Sequence, residues 1–114
     1  MNENESLSFE ELKQRSRSIR ELYHKLEEIH HQTVWNIEED ALAFLTDASL
    51  IGRLVMDHQK RWPYDGNDSR KLLEHKLGEC VWWLSVMATR MDIDLECCTR
   101  SFLKSTEEGL RNTP

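Results

Sequence analysis

The side chains in this sequence with the means to do chemistry are scattered, and most have a plainer use. His24, Glu28 and His31 follow one another at steps of four and three, one stripe of a helix. Two imidazoles and a carboxylate can ligate zinc. His24 and His31 are two turns apart, however, which is far for one ion, and an exposed polar face is the simpler use of such a stripe. Trp62 and Tyr64 flank Pro63 in a run of turn formers, Gln59 to Asp68. Such a pair can stack on a nucleotide base or pin the loop onto a core. Arg17, Arg20 and Lys25 are cations on one stretch, but Glu10, Glu11, Glu21, Glu27 and Glu28 interleave with them. That is the pattern of a solvated, salt-bridged face. Cys80, Cys97 and Cys98 are an odd set and build no disulfide framework; free thiols are expected.

The element that must position any site is Leu72 to Glu96. Leu73, Leu77, Cys80, Val81, Leu84, Met87, Ala88 and Met91 recur at helical steps, and Trp82 with Trp83 widens the apolar arc. Such a helix should touch neighbours on more than one side. Before it, Ser8 with Glu11 forms a capping signal for a helix over 9–32. Asn36 with Glu39 does the same for a helix over 37–58, whose first turn is acidic. Asp68 or Ser69 caps a third helix over 69–91, and Asp92 or Asp94 a fourth over 94–108. Residues 1–7 and 110–114 read as frayed ends. Gly52 and Gly78 lie inside the second and third helices. Each costs about 1 kcal/mol against alanine there, which suggests close approach of another backbone.

Length and composition bound the answer. A chain of 114 residues with 2 prolines and 4 glycines is one all-α domain, 1–114, here an antiparallel four-helix bundle. A net charge of −6 gives no basic surplus for a nucleic acid. The longest nearly apolar run, Cys80 to Ala88, is too short to cross a bilayer. With no secretory signal read at the polar N-terminus, the cytoplasm is the expected location.

Two glycine-centred stretches on successive helices carry a family resemblance. They are Leu50-Ile51-Gly52-Arg53-Leu54 and Lys76-Leu77-Gly78-Glu79, the latter followed by Cys80-Val81-Trp82-Trp83-Leu84 and trailed by Met91-Asp92-Ile93-Asp94-Leu95-Glu96. Together they resemble the metal-binding helices of the MazG-like all-α nucleoside triphosphate pyrophosphohydrolases, over roughly residues 20–105. The resemblance implies two acids three residues apart on each helix. Such pairs share a helix face and converge in a bundle to hold Mg²⁺ for splitting a nucleoside triphosphate into monophosphate and pyrophosphate. Carried over by residue, Leu50 and Arg53 stand at the first pair of ligand positions and Lys76 and Glu79 at the second, so only Glu79 is acidic. Moving the first pair by three residues brings in Asp47 and abandons the glycine match.

Two functions follow from the resemblance. In the first, the chain is a nucleotide pyrophosphohydrolase with impaired catalysis. Asp47 and Glu79, with Glu74 or His75, would form a reduced metal site; Arg53, Lys76 and Lys104 would contact phosphate, and Trp62 and Tyr64 the base. In the second, it is a non-catalytic binding or regulatory protein on the same scaffold, with Arg53 and Glu79 closing the metal site as an ion pair. Leu26, Phe44, Leu45, Ile51, Leu77, Val81, Leu84 and Phe102 are expected in the core. The wide apolar arcs exceed what one small core consumes, so a homo-oligomer, a dimer first, is expected, with one of Trp82 and Trp83 at its interface.

Overall fold

The computed structural model describes residues 5–64 and 68–113; Asp65, Gly66 and Asn67 of the loop, with both chain ends, lie outside them. Four helices are present, α1 (Phe9–His31), α2 (Ile37–His58), α3 (Ser69–Arg90) and α4 (Leu95–Arg111), and no strand occurs among the described residues. Each helix starts where a short polar side chain takes up an orphan backbone N–H. Ser8 accepts from Glu11 (3.0 Å), Asp68 from Lys71 (3.1 Å) and Asp94 from Cys97 (3.0 Å). Asn36 and Glu39 form a full capping box, each side chain accepting the other's backbone N–H. α1 stops where Gln32 turns into the left-handed region at φ 59° and returns its N–H to Glu28. α4 runs through Arg111 rather than fraying at 110, because Asn112 donates back to Glu108.

α3 packs against all three other helices, most extensively against α2. Its tryptophans divide the work. Trp83, 6 % exposed, faces α2, where its indole N–H donates to Asp47 (2.9 Å). Trp82 is half-buried against α1, in tilted contact with the Tyr23 ring and with its N–H toward the Ser16 carbonyl (3.4 Å). The apolar core is small: Leu54, Cys80, Trp83, Val86 and Ala88.

The expected core list is overturned. Leu26, Leu45, Leu77, Val81, Leu84 and Phe102 are exposed, and Phe44 and Ile51 are only half-buried. The list assumed that every helix turns its most apolar arc to one common line. Instead α1 and α2 lie on different sides of α3, so the inward positions fall to Ser16 and Arg20 on α1 and to Asp40 and Leu54 on α2, while α4 buries no residue. The two mid-helix glycines also depart from expectation. A Cβ added at Gly52 or Gly78 meets nothing within 4 Å, so among the described residues no neighbouring backbone approaches them.

The chain is loose for its size. Its radius of gyration is 17.2 Å, against about 13 Å for a compact domain of this length. It exposes 9100 Å², about 2,500 Å² more than the ~6,600 Å² of a folded monomer of this mass.

Candidate functional site

α2 and α3 bring Asp47, Lys76 and Glu79 together. The Lys76 ammonium donates to Asp47 Oδ1 at 3.0 Å and to Glu79 Oε1 at 2.8 Å, and the other Asp47 oxygen is held by the Trp83 indole. The three side chains are between 16 % and 27 % exposed, so the cluster is a partly sheltered notch between two helices. The local cause is helical spacing. Lys76 and Glu79 are three residues apart on α3, one turn and one face, and Asp47 meets them from the facing side of α2. The bond to Glu79, aided by Asp47, holds the Lys76 ammonium above the usual lysine range against the opposing pull of burial. Burial first, then the neighbouring carboxylates, push the Cys80 thiol up.

Arg53 is elsewhere, which corrects the expected pairing with Glu79. Its guanidinium donates to the carbonyls of Trp62 (2.8 Å) and Pro63 (2.7 Å) and lies 3.6 Å over the Trp62 ring, with Tyr64 at 5.5 Å. Arg53 therefore anchors the α2–α3 loop, and Trp62 already carries a stacked partner on one face. Asp57 secures the same loop by accepting from the Tyr64 N–H (3.0 Å) and the Ser69 hydroxyl. Those two bonds hold its carboxyl below the usual range. Leu50 is half-buried. Glu74 is exposed and pairs with Arg70, and His75 is exposed. Lys104 lines a groove on α4 with Phe9, Thr99 and Leu103, apart from the notch. His24 is half-buried while Glu28 and His31 face solvent, so that stripe does not converge. No group of three His, Cys, Asp or Glu side chains placed to hold a metal occurs among the described residues.

A second polar cluster, read in the sequence as part of a solvated face, is the most buried in the chain. Asp40 is fully buried and Arg20 only 4 % exposed. Arg20 donates to Asp40 Oδ1 (2.7 Å) and to Glu27 (2.8 Å), and Arg90 donates to Asp40 Oδ2 (2.7 Å) and to the Trp35 carbonyl (2.9 Å). Glu27 in turn accepts the Trp35 N–H (2.9 Å). The Arg20 guanidinium lies 5.6 Å from the Trp83 ring and 5.9 Å from that of Trp35. The cluster joins α1, α2, α3 and the first connection through two carboxylates and two guanidinium groups, a self-compensated set that fixes the crossing of three helices. Burial opposes ionisation at Arg20 and Glu27, yet the hydrogen bonds prevail. Arg20 is held above its usual range by Asp40 and Glu27, and Glu27 below its own by the Trp35 N–H and Arg20. Burial, then the charge on Arg20, lowers His24, whose Nε2 is buried without a partner. The available signal in the sequence was the stripe Ser16, Arg20, Glu27, which is polar along the side of α1 that meets α3.

The notch is partly exposed and holds a lysine and two acids; the Arg20 cluster pairs two acids with two cations and is buried at Arg20 and Asp40, with Arg90 at its exposed edge. No family model, no curated protein and no solved structure matches this chain. Among the described residues no helix is long and apolar enough to cross a membrane.

Proposed function

We propose that this chain is a non-catalytic binding or regulatory protein on a MazG-like scaffold, with the Lys76 ammonium standing where the resemblance would put a metal ion. The observation that carries the reading is the bridge from Lys76 to both Asp47 and Glu79. The resemblance brings two acids from each helix to one ion. Here one acid from each helix survives, and a cation of the chain itself lies between them. A lysine among two carboxylates does not suit Mg²⁺, which requires several oxygen ligands in near-octahedral order. The convergence of Asp47 with Glu79 also favours the shifted alignment, with Asp47 and Leu50 as the first pair, over the one that used Arg53.

The antiparallel arrangement belongs to the same proposal. Contacts run from Asp57 with Ser69, through Asp47 with Lys76, to Asp40 with Arg90, so α2 positions fall as α3 positions rise. The Lys76→Glu variant tests the reading. The native chain is expected to show no change in melting temperature with millimolar Mg²⁺ and no pyrophosphate release from any nucleoside triphosphate. In Lys76→Glu three carboxylates repel one another, and Mg²⁺ is expected to restore the lost stability. Pyrophosphate release by the native chain overturns the reading and leaves a divergent enzyme that uses Asp47 and Glu79.

A further inference from the structure

Arg17, Arg20 and His24 follow one another on α1 at steps of three and four, which places them on one face of the helix. With Val86 and Arg90 of α3 they line a cavity of about 240 Å³, and the exposed Glu21 is the one acid in its wall. The charges here balance within the chain. Asp40 accepts from Arg20 and from Arg90, and Glu27 accepts from Arg20. The donors do not balance. Arg20 is 4 % exposed, yet its Nε–H has no hydrogen-bond partner among the described residues, and Nε2 of His24 is buried without one as well. Arg17, exposed beside them, makes no ion pair or hydrogen bond among the described residues. Burial keeps His24 uncharged at neutral pH. In the tautomer with its proton on Nε2, the ring adds one more donor to the cavity wall.

A buried N–H without an acceptor is costly, so the group that complements this wall is one that only accepts. We infer that the cavity between α1 and α3 binds the carboxylate of a small monocarboxylic acid. The Arg17 fork offers two N–H groups, Arg20 Nε one and His24 Nε2 one. A carboxylate has two oxygens with about four lone-pair sites, and an arginine fork meets it in bidentate fashion. Charge selects the carboxylate over a phosphate ester. Arg17, Arg20 and Arg90 are matched by Glu21, Glu27 and Asp40, and His24 is neutral. A single negative charge upsets that balance less than the charge of about −2 on a phosphate group. Size selects a small molecule. The cavity, about 240 Å³, lies below the ~300 Å³ at which pockets for drug-sized ligands begin. Val86 and the aliphatic stem of Arg17 give a short hydrocarbon body an apolar wall. Val86 lies about two turns beyond Glu79 on α3. Nothing here rests on the chemistry of the Asp47–Lys76–Glu79 notch, and a metal-binding result there leaves it untouched.

Heteronuclear NMR on the full chain tests the inference. The probes are pentanoate, pentanamide as its uncharged counterpart, and inorganic phosphate as the more highly charged oxyanion. Pentanoate is expected to shift the Arg20 Nε–H and His24 ring signals saturably in the millimolar range, and pentanamide to leave them in place. Arg17→Gln, at an exposed side chain outside the Arg20 cluster, is expected to weaken pentanoate binding ~10-fold or more, the scale of a lost hydrogen bond to a charged group, with helical circular dichroism and melting temperature retained. Signals that pentanoate does not move, or that pentanamide moves equally, overturn the site. Binding that Arg17→Gln leaves unweakened overturns the four-donor assignment, and phosphate binding tighter than pentanoate overturns the choice of a carboxylate.

Discussion

At the scale of single residues, Asp40 does the most with the least exposure. Both of its oxygens accept from guanidinium groups, one on α1 and one on α3. Removing it leaves Arg20 buried with half its partners and Arg90 without its carboxylate. Asp40→Ala is expected to destabilise the fold by ~3–5 kcal/mol, the cost of breaking a buried ion pair from one side, read from urea unfolding at neutral pH. A change under about 1 kcal/mol, the scale of a surface pair, would contradict that role. Neither Arg20 nor Asp40 was legible as buried. Charged residues are placed in water by default, and Asp40 lies in an acidic first turn where the helix dipole already accounts for it. Glu79 and Lys76 were legible as neighbours from their spacing alone. Arg53 was misplaced because the glycine match aligned it with Glu79, and in this chain Gly52 and Gly78 mediate no contact that would keep that alignment.

At the scale of elements, the sequence was a good guide wherever the determinant is local. Ser8, Asn36, Asp68 and Asp94 cap their helices by reaching three residues ahead, so the starts could be read without knowing the fold. The α2–α3 loop is held less by propensity than by Asp57 and Arg53, which close over it from α2. Asp57 gives it a pH dependence. Its carboxyl is held below the ordinary aspartate range by the Ser69 hydroxyl and the Tyr64 N–H. A carboxylate with a depressed folded pKa stabilises above its unfolded pKa, and that contribution is lost as pH falls through the folded value. The loop is therefore expected to stay protected through mildly acidic pH and to loosen only as pH falls through the depressed value of the folded carboxyl. Limited proteolysis or amide exchange across 59–64 as a function of pH reads this directly. Asp57→Asn is expected to abolish the pH step; a step that persists in the variant assigns it to another group.

For the whole molecule, the sequence conveyed surplus apolar surface but not its location. Periodicity says which residues share a face; it does not say which of two apolar faces on α2 meets α3 and which is left outside. The inward one is chosen by Asp40, Asp47 and Asp57, which need partners on α3, and Leu42 and Leu45 are turned out as a result. A 17.2 Å radius with α4 burying nothing describes a chain of low compaction. If association completes it, folding and assembly are one equilibrium. The melting temperature is expected to climb by several degrees between about 1 and 100 µM chain, the behaviour of a linked dimer. A transition independent of concentration is that of a self-sufficient monomer.

Lys76 comes with α3, and that has a consequence for the notch. A dissolved cation occupies a site according to its chemical potential, leaves when the surroundings are depleted, and exchanges with competitors. A tethered ammonium arrives with the helix, one per chain, and departs only if the helix does. The junction of α2 and α3 at Asp47 and Glu79 is thus as permanent as the fold, and its geometry is inherited through translation rather than drawn from the ionic medium.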